Sequence, residues 1–545
     1  MRTTSIRIGV GLVLAVMGSV GLRAAQNHNN FISGTFTQGE DVTARCLVCH
    51  EEQATDFMAT IHWTWSHTSG GQDLGKKTVI NNYCVAVASN EPRCTSCHAG
   101  YGWRDDTFDF TDSSKIDCLV CHDATGTYKK VPTGAGAVDP TVDLLAVAKS
   151  VGSTPTRVAC GSCHFYGGGG DAVKHGTMDS TLAAPTRAVD VHMGVDGLNF
   201  SCVVCHTADK HVMPGSRYSK DQPDNVNCEK CHTAAPHADP VQNTHAARVA
   251  CQTCHIPVMA RGNKGTKMDW NWETAGDRNP DGSTRVVKNA EGEEIYNSMK
   301  GSFVWERNVV PEYVWMNGGV TYVTGEDDIT GMQLVSINKL QGNEADANSR
   351  IMPVKRFTGR QPYDVGAGKL AVPHLYPSAA DDMAAYWKGY DWTTALTAGQ
   401  ESVGKTFIGP VGWVDTEMYW VQNHMVAPKE QALTCADCHT PRGRLDFAGL
   451  GYDADRALTL STMAGFEIGE VDMVATPGQA TLRWTGTPGN AYQVQAAVGG
   501  DLEQWENVVD GAREVPAGGA PAELSWQDTS GGGNRFYRIT RTALP

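Results

Sequence analysis

The chain has 545 residues, a formal net charge of −15 and 19% charged residues. A hydrophobic content of 41% is that of a folded globular protein, and an acidic chain with no basic block excludes a nucleic-acid binder. Length alone predicts two to four domains, at roughly 100–200 residues each.

The N-terminus opens with Arg2 and Arg7, continues through an apolar run from Ile8 to Leu22 and reaches the small pair Ala24-Ala25. Residues 1–25 therefore read as a secretory signal peptide, too short for a lasting membrane span. Its removal takes away three Arg and no acids, leaving −18 on the exported chain. No other segment reaches about 18 consecutive apolar residues. The expected location is the periplasm, with no stable membrane span.

Sixteen of the 17 Cys then fall into eight copies of Cys-x-x-Cys-His. They are Cys46/Cys49-His50, Cys94/Cys97-His98, Cys118/Cys121-His122, Cys160/Cys163-His164, Cys202/Cys205-His206, Cys228/Cys231-His232, Cys251/Cys254-His255 and Cys435/Cys438-His439. Two thiols at this spacing reach the two vinyl groups of one porphyrin, and the adjacent His ligates its iron. Zinc sites, redox dithiols and disulfides do not demand His after the second Cys in every copy. Eight covalently attached haem c groups are expected. Haem attachment takes place on the exported side, in agreement with the signal peptide.

Seven motifs lie between Cys46 and His255. That leaves roughly 30 residues per motif, too few to build an apolar core of their own. The expected fold is mainly α with much irregular structure, wrapped around stacked haems. The run Gly167-Gly168-Gly169-Gly170 lacks the Gly-Lys-Ser/Thr of a phosphate loop and reads as backbone pressed against a haem or lining a pocket. Residues 256–434 hold no Cys but 8 of the 14 Trp, expected to fill gaps around the haems. There the pattern predicts a β-hairpin from Phe303 to Thr324 about Asn317-Gly318-Gly319. It also predicts helices over Asp381 to Val403 and Trp413 to Val426. Residues 26–455 form the expected haem-bearing unit. Residues 465–545 read as a small β-sandwich of short strands separated by Gly/Pro/Asn turns. This tail resembles fibronectin type III modules at Trp484, Tyr492, Trp505 and Tyr537.

Each iron needs a sixth ligand. Ten His lie outside the motifs. His28, just after the signal peptide, is the poorest candidate. The other nine are His62, His67, His175, His192, His211, His237, His245, His374 and His424, one more than eight irons need. Such a count suits mostly bis-His haems, which are electron carriers. Two residues point to a haem of another kind. Cys84 is the one Cys outside a motif, ten residues before Cys94. Lys174 directly precedes His175, and adjacent side chains diverge, so the two can serve different irons.

The stretch Asn81-Asn82-Tyr83-Cys84 followed by Cys94 to Trp103 resembles the octahaem tetrathionate reductase family of periplasmic c-type cytochromes. So do Phe165 to Gly167, Lys174-His175-Gly176, Val191-His192-Met193, Pro214 to Tyr218 and Met418 to Trp420 with Asn423-His424-Met425. The resemblance covers about residues 40–450. It implies that the second haem is catalytic, with Lys174 as its distal ligand and Cys84, Asn81 and Asp171 beside it. It also implies a second pocket lysine at Lys267, or less cleanly Lys264. The implied activity is reduction of tetrathionate to thiosulfate, with a small inorganic anion as substrate and a periplasmic or membrane-bound electron donor. A nitrite or hydroxylamine reductase, or a non-catalytic electron carrier, are the rival readings.

Overall fold

The computed structural model describes residues 28–69, 72–215, 226–463, 470–472, 481–486, 490–498, 501–516, 522–528 and 537–543. The expected signal peptide lies outside the described residues. No described helix is long and apolar enough to cross a membrane.

Residues 28–255 follow the expected pattern of short helices and loops. Several motifs occupy a single helical turn, as in Arg157–His164, Cys202–Cys205, Cys251–His255 and Cys435–Cys438. Positions three apart share one helix face, so the turn aims both thiols to the same side. Side-chain caps start two of these turns. Thr156 accepts from the Ala159 amide, and Thr434 with Asp437 forms a capping box.

The mainly-α expectation fails in the Cys-free region, and the described chain carries about as much strand as helix. Nine strands form one sheet: β1 Thr266–Asn271, β2 Val286–Lys288, β3 Glu294–Asn297, β4 Gly301–Glu306, β5 Glu312–Met316, β6 Leu334–Ser336, β7 Arg350–Asp364, β8 Lys369–Leu370 and β9 Val411–Val421. The main path runs β2-β3-β4-β1-β7-β9-β6, with β5 and β8 also paired to β7. β7 runs parallel to β1 and antiparallel to β9, with Thr358 opposite both Asp269 and Glu417.

The segment read as a helix from Trp413 is therefore a strand. Val414, Thr416, Met418 and Trp420 are buried in alternation, a period of two that decides the element. The helix read over Asp381 to Val403 is shorter, split into Tyr386–Gly389 and Trp392–Glu401. The Phe303–Thr324 hairpin also differs. Its strands exist, but β4 pairs β1 and β3, β5 pairs β7, and Val320–Tyr322 pairs Asn338–Leu340. The aromatics of this region pack on one another in the sheet core, where Trp270 stacks on Trp272 at 4.9 Å and Phe357 is fully buried. Each such ring contributes about 1.5–3 kcal/mol by burial.

The tail forms two three-stranded sheets, β10 Glu470–Asp472, β11 Thr481–Gly486 and β14 Ala522–Gln527 in one, β12 Asn490–Val498, β13 Asp501–Val515 and β15 Tyr537–Ala543 in the other. Trp484, Tyr492, Val494 and Trp526 share one core. This is the sandwich the sequence pattern predicts.

Candidate haem sites and the pocket beside the second motif

Seven of the eight motif histidines face a second histidine ring. The ring centroids are 6.3 Å apart for His50–His28, 6.4 Å for His122–His211, 6.1 Å for His164–His62 and 6.3 Å for His206–His424. They are 6.1 Å apart for His232–His192, 6.0 Å for His255–His237 and 5.9 Å for His439–His245. Two imidazoles on opposite sides of one metal, each at a bond length of about 2 Å, put their ring centres at this separation. The residues present thus fit an iron between each pair. Burial also holds several rings in the neutral, ligating form. It pushes His164 down to about 3 and His424 down to about 4.

The motif thiols differ in exposure. Cys49, Cys205, Cys231 and Cys435 are exposed, in motifs 1, 5, 6 and 8, whereas Cys438 is buried and the other motif thiols are half-buried.

His28, set aside from sequence position, lies in one of the histidine pairs. His67, His175 and His374 do not. His374 is instead fixed by hydrogen bonds to Asp382 at 2.8 Å and to the Ser89 carbonyl at 2.7 Å. His175 lies against Trp420, ring centres 5.0 Å apart.

The second motif differs. His98 is fully buried, and every ring it touches among the described residues is aromatic carbon or indole: Trp63, Trp65, Trp103, Phe108 and Phe110, at 5.0–6.1 Å. Burial, opposed by the Trp63 carbonyl, pushes its pKa down to about 3. A buried salt bridge stands behind it. Lys130 Nζ lies 2.7 Å from Asp117 and donates to the His98 carbonyl at 2.6 Å. Asp117 precedes Cys118 of the third motif and accepts from Tyr101, Tyr128 and the Val120 amide.

Motifs 2 and 4 also meet through their cysteines, the Cys163 thiol donating to the Cys97 carbonyl at 3.5 Å.

A loop beside Cys94, whose thiol lies 3.9 Å from the Ala86 carbonyl, meets a second loop and one strand at Cys84. The first loop carries Asn81 to Ala86. The Asn81 carboxamide accepts from the Tyr83 amide, its backbone N–H donates to Val85, and Val85 is held at φ 64°. That left-handed conformation is strained for a β-branched residue, a kind of strain that clusters at functional sites. Cys84 next to it donates to the Gly168 carbonyl at 3.0 Å. The second loop carries the Gly run and Lys174. A Cβ on Gly169 would stand 2.8 Å from the Cys84 sulfur, and one on Gly168 would crowd Val173 and Tyr83. The Gly run thus packs against Cys84, Tyr83 and Val173. Lys174 Nζ sits 4.8 Å above the Trp420 ring.

The strand is β1. Lys267 is 5% exposed, with Nζ 3.3 Å from the Phe303 ring centre, 4.1 Å from Trp270 and 4.9 Å from Trp305. Burial, reinforced by Lys300, pushes its pKa well below the ordinary lysine range. Burial also pushes the Cys84 thiol up, against the pull of Lys300 and Lys267. Cys84 is therefore a protonated thiol that donates a hydrogen bond, and not a resting thiolate. Asp171 is tied away from the other pocket residues, paired with Lys264 at 2.9 Å and accepting from the Ser180 amide and hydroxyl. That pairing separates the two candidate lysines, since Lys264 holds Asp171 while Lys267 faces Cys84.

Sequence reading missed Lys355 and Thr266, both fully buried behind the Lys174 loop. The signal for Lys355 was present. On β7 the buried positions Ile351, Pro353, Phe357, Gly359 and Gln361 alternate with half-exposed ones, and Lys355 falls on the buried phase.

Residues 45–123 match the family of cytochrome c554 and c-prime, and residues 267–442 match the bacterial cytochrome c family. A search of curated proteins gives no match. The fold is similar to the crystal structure of octaheme cytochrome c from Shewanella oneidensis, with a TM-score of 0.73 and 46% sequence identity. That likeness covers 79% of this chain and 97% of the other. With eight attachment motifs, seven facing histidine pairs and this likeness over nearly the whole relative, the chain belongs to the octahaem c-type cytochromes.

Proposed function

We propose that this protein is a periplasmic reductase in which seven His-paired haems supply electrons to the second haem, where tetrathionate is cleaved to two thiosulfates. The observation that carries the reading is the asymmetry of the histidines: seven motif rings face a partner ring, and His98 does not. Bound haem supplies the electrons and a coordination position, and the chain supplies everything else. Lys174 would hold the iron of that haem together with His98, which requires its neutral amine.

Cleavage of the central S–S bond takes two electrons and leaves a negative charge on each sulfur. The pocket suits a dianion. Lys267 rests in an aromatic cage with its amine stripped of water, so a bound dianion restores its proton and gains a charge-assisted hydrogen bond. Lys300 adds positive potential at the same place. The Cys84 S–H points its hydrogen bond at Gly168 and is placed to turn it toward a developing sulfur anion. The Val85 strain and the Gly169 contact hold that sulfur where it is.

The test is steady-state turnover by the purified holoprotein, with one artificial donor and tetrathionate, nitrite or hydroxylamine as acceptor. The reading expects tetrathionate to give the highest kcat/KM. Faster nitrite or hydroxylamine turnover would transfer the same site to nitrogen chemistry, and no turnover with any acceptor would leave an electron carrier.

A further inference from the structure

We propose that Lys355 and Thr266 form a buried clamp that fixes the backbone on both sides of Lys174 and so aims its amine at the second haem. The proposal rests on the reading of Lys174 as distal ligand, and makes Lys355 and Thr266 positioning residues.

The clamp is built from two strands of the sheet. Lys355 Nζ, on β7, donates to the Val173 carbonyl at 2.8 Å and to the Thr266 hydroxyl at 2.7 Å. Thr266, the first residue of β1, places that hydroxyl 2.8 Å from the Ala172 carbonyl and 3.2 Å from the His175 carbonyl. The Lys267 amide adds a bond to Ala172 at 3.2 Å. Carbonyls 172, 173 and 175 are thus all engaged, and Lys174 between them carries its Nζ to 4.8 Å from the Trp420 ring. The loop needs holding, because Ala172 adopts φ 58°, a left-handed conformation unfavourable to a residue with a Cβ.

The position of Lys355 argues against a purely structural role. It is 0% exposed in the interior of the sheet's longest strand, on the buried phase it shares with Ile351, Pro353, Phe357, Gly359 and Gln361. An apolar residue there would avoid the cost of burying an amine, and no carboxylate meets this one among the described residues. The Lys355 amine donates both to the loop and to its support. The sheet is therefore joined to the ligand loop by two buried hydrogen bonds. Such rigidity is what a weak, displaceable ligand requires, since a flexible loop would lose it to water.

The test compares Thr266→Val, Thr266→Ser, Lys355→Met and Lys174→Ala in full-length holoprotein. Haem content is read by mass spectrometry and spin state by electron paramagnetic resonance of the oxidised, substrate-free protein. Thr266→Val should raise the high-spin ferric population at one haem about tenfold, the effect of losing one buried hydrogen bond, with the seven His-paired signals unchanged. Lys355→Met should do at least as much. Thr266→Ser, which keeps the hydroxyl, should match the wild type. A role in stability alone would lower the melting temperature and leave the spin state where it was. If Lys174→Ala becomes high-spin and Thr266→Val does not, the clamp is refuted and the ligand assignment stands. If Lys174→Ala shows no new high-spin haem, the ligand assignment fails and the clamp falls with it. Should Lys355→Met fail to mature, the Thr266 pair decides alone.

Discussion

Residues 28–255 and the nine-stranded sheet solve the problem of a core in opposite ways. The first region has short helical turns, small apolar clusters such as the one around Leu119 and Val147, and motif histidines that face other imidazoles. The second is a conventional sheet whose aromatic side chains, from Trp270 to Trp420, already fill its interior. The pocket stands where the two meet. Cys84 and Lys174 come from loops of the first, and Lys267, Lys355 and Thr266 come from strands of the second. Reactivity is thereby placed on loops and aim on the sheet.

The comparison breaks most visibly at Lys174. Lys174→His should make the second haem resemble the other seven. Haem count and electron uptake survive, while substrate turnover falls by about a hundredfold or more, the scale of losing a positioned electrostatic group. Steady-state assays alongside spectra of the reduced protein check this. A variant with full activity would show that the asymmetry is not what makes the site reactive.

On the sheet side, Lys267→Gln should raise KM for an anionic acceptor about tenfold through loss of a charge-assisted bond. Uncharged hydroxylamine should be spared, and paired KM measurements separate the two.

A smaller effect is expected at the surface end of the first region. His28→Ala should turn one haem in the chain high-spin while turnover keeps most of its value. An unchanged spectrum would mean that the 6.3 Å approach of His28 to His50 does not reflect a shared iron.

The smallest effect concerns a histidine outside the pairs. Burial would raise the Asp382 carboxyl, but its hydrogen bond to His374 and those from Ser378 hold it down at about 2. A depressed acid stabilises the fold above its unfolded value of about 3.9, and the benefit is lost as pH falls towards 2. Screening leaves about 1 kcal/mol of this. Asp382→Asn should therefore flatten the acid limb of the stability curve between about pH 4 and 2, with all haem spectra unaltered. Denaturation followed across that range is the check.

Much of this was legible in the sequence. The eight motifs, the surplus of histidines and the tail strands follow from spacing and periodicity. Which histidine meets which motif is a tertiary fact, and His28 shows how misleading chain position is, since 22 residues separate it from the ring it faces. The depth of each motif is tertiary too, since Cys231 is exposed and Cys438 buried in motifs of the same spacing. The sheet was hidden because its aromatics satisfy helical and strand spacing alike over short windows. Only the alternation of burial along Val411–Val421 separates the two. Lys355 was overlooked for the ordinary reason that a lysine is read as surface.

The Lys130–Asp117 bridge has a consequence for the speed of charge movement. Electron transfer is slowed by every atom that must shift when a charge arrives. Here an ion pair with side chains 8% and 0% exposed anchors the His98 backbone to the residue preceding Cys118. Three hydrogen bonds donated to Asp117 and one donated by Lys130 to the His98 carbonyl hold its charges, so the local dipoles are set in advance and little solvent remains to reorient. The polar surroundings shared by the second and third motifs thus behave as a stiff dielectric, in which an electron's passage calls for small nuclear displacement.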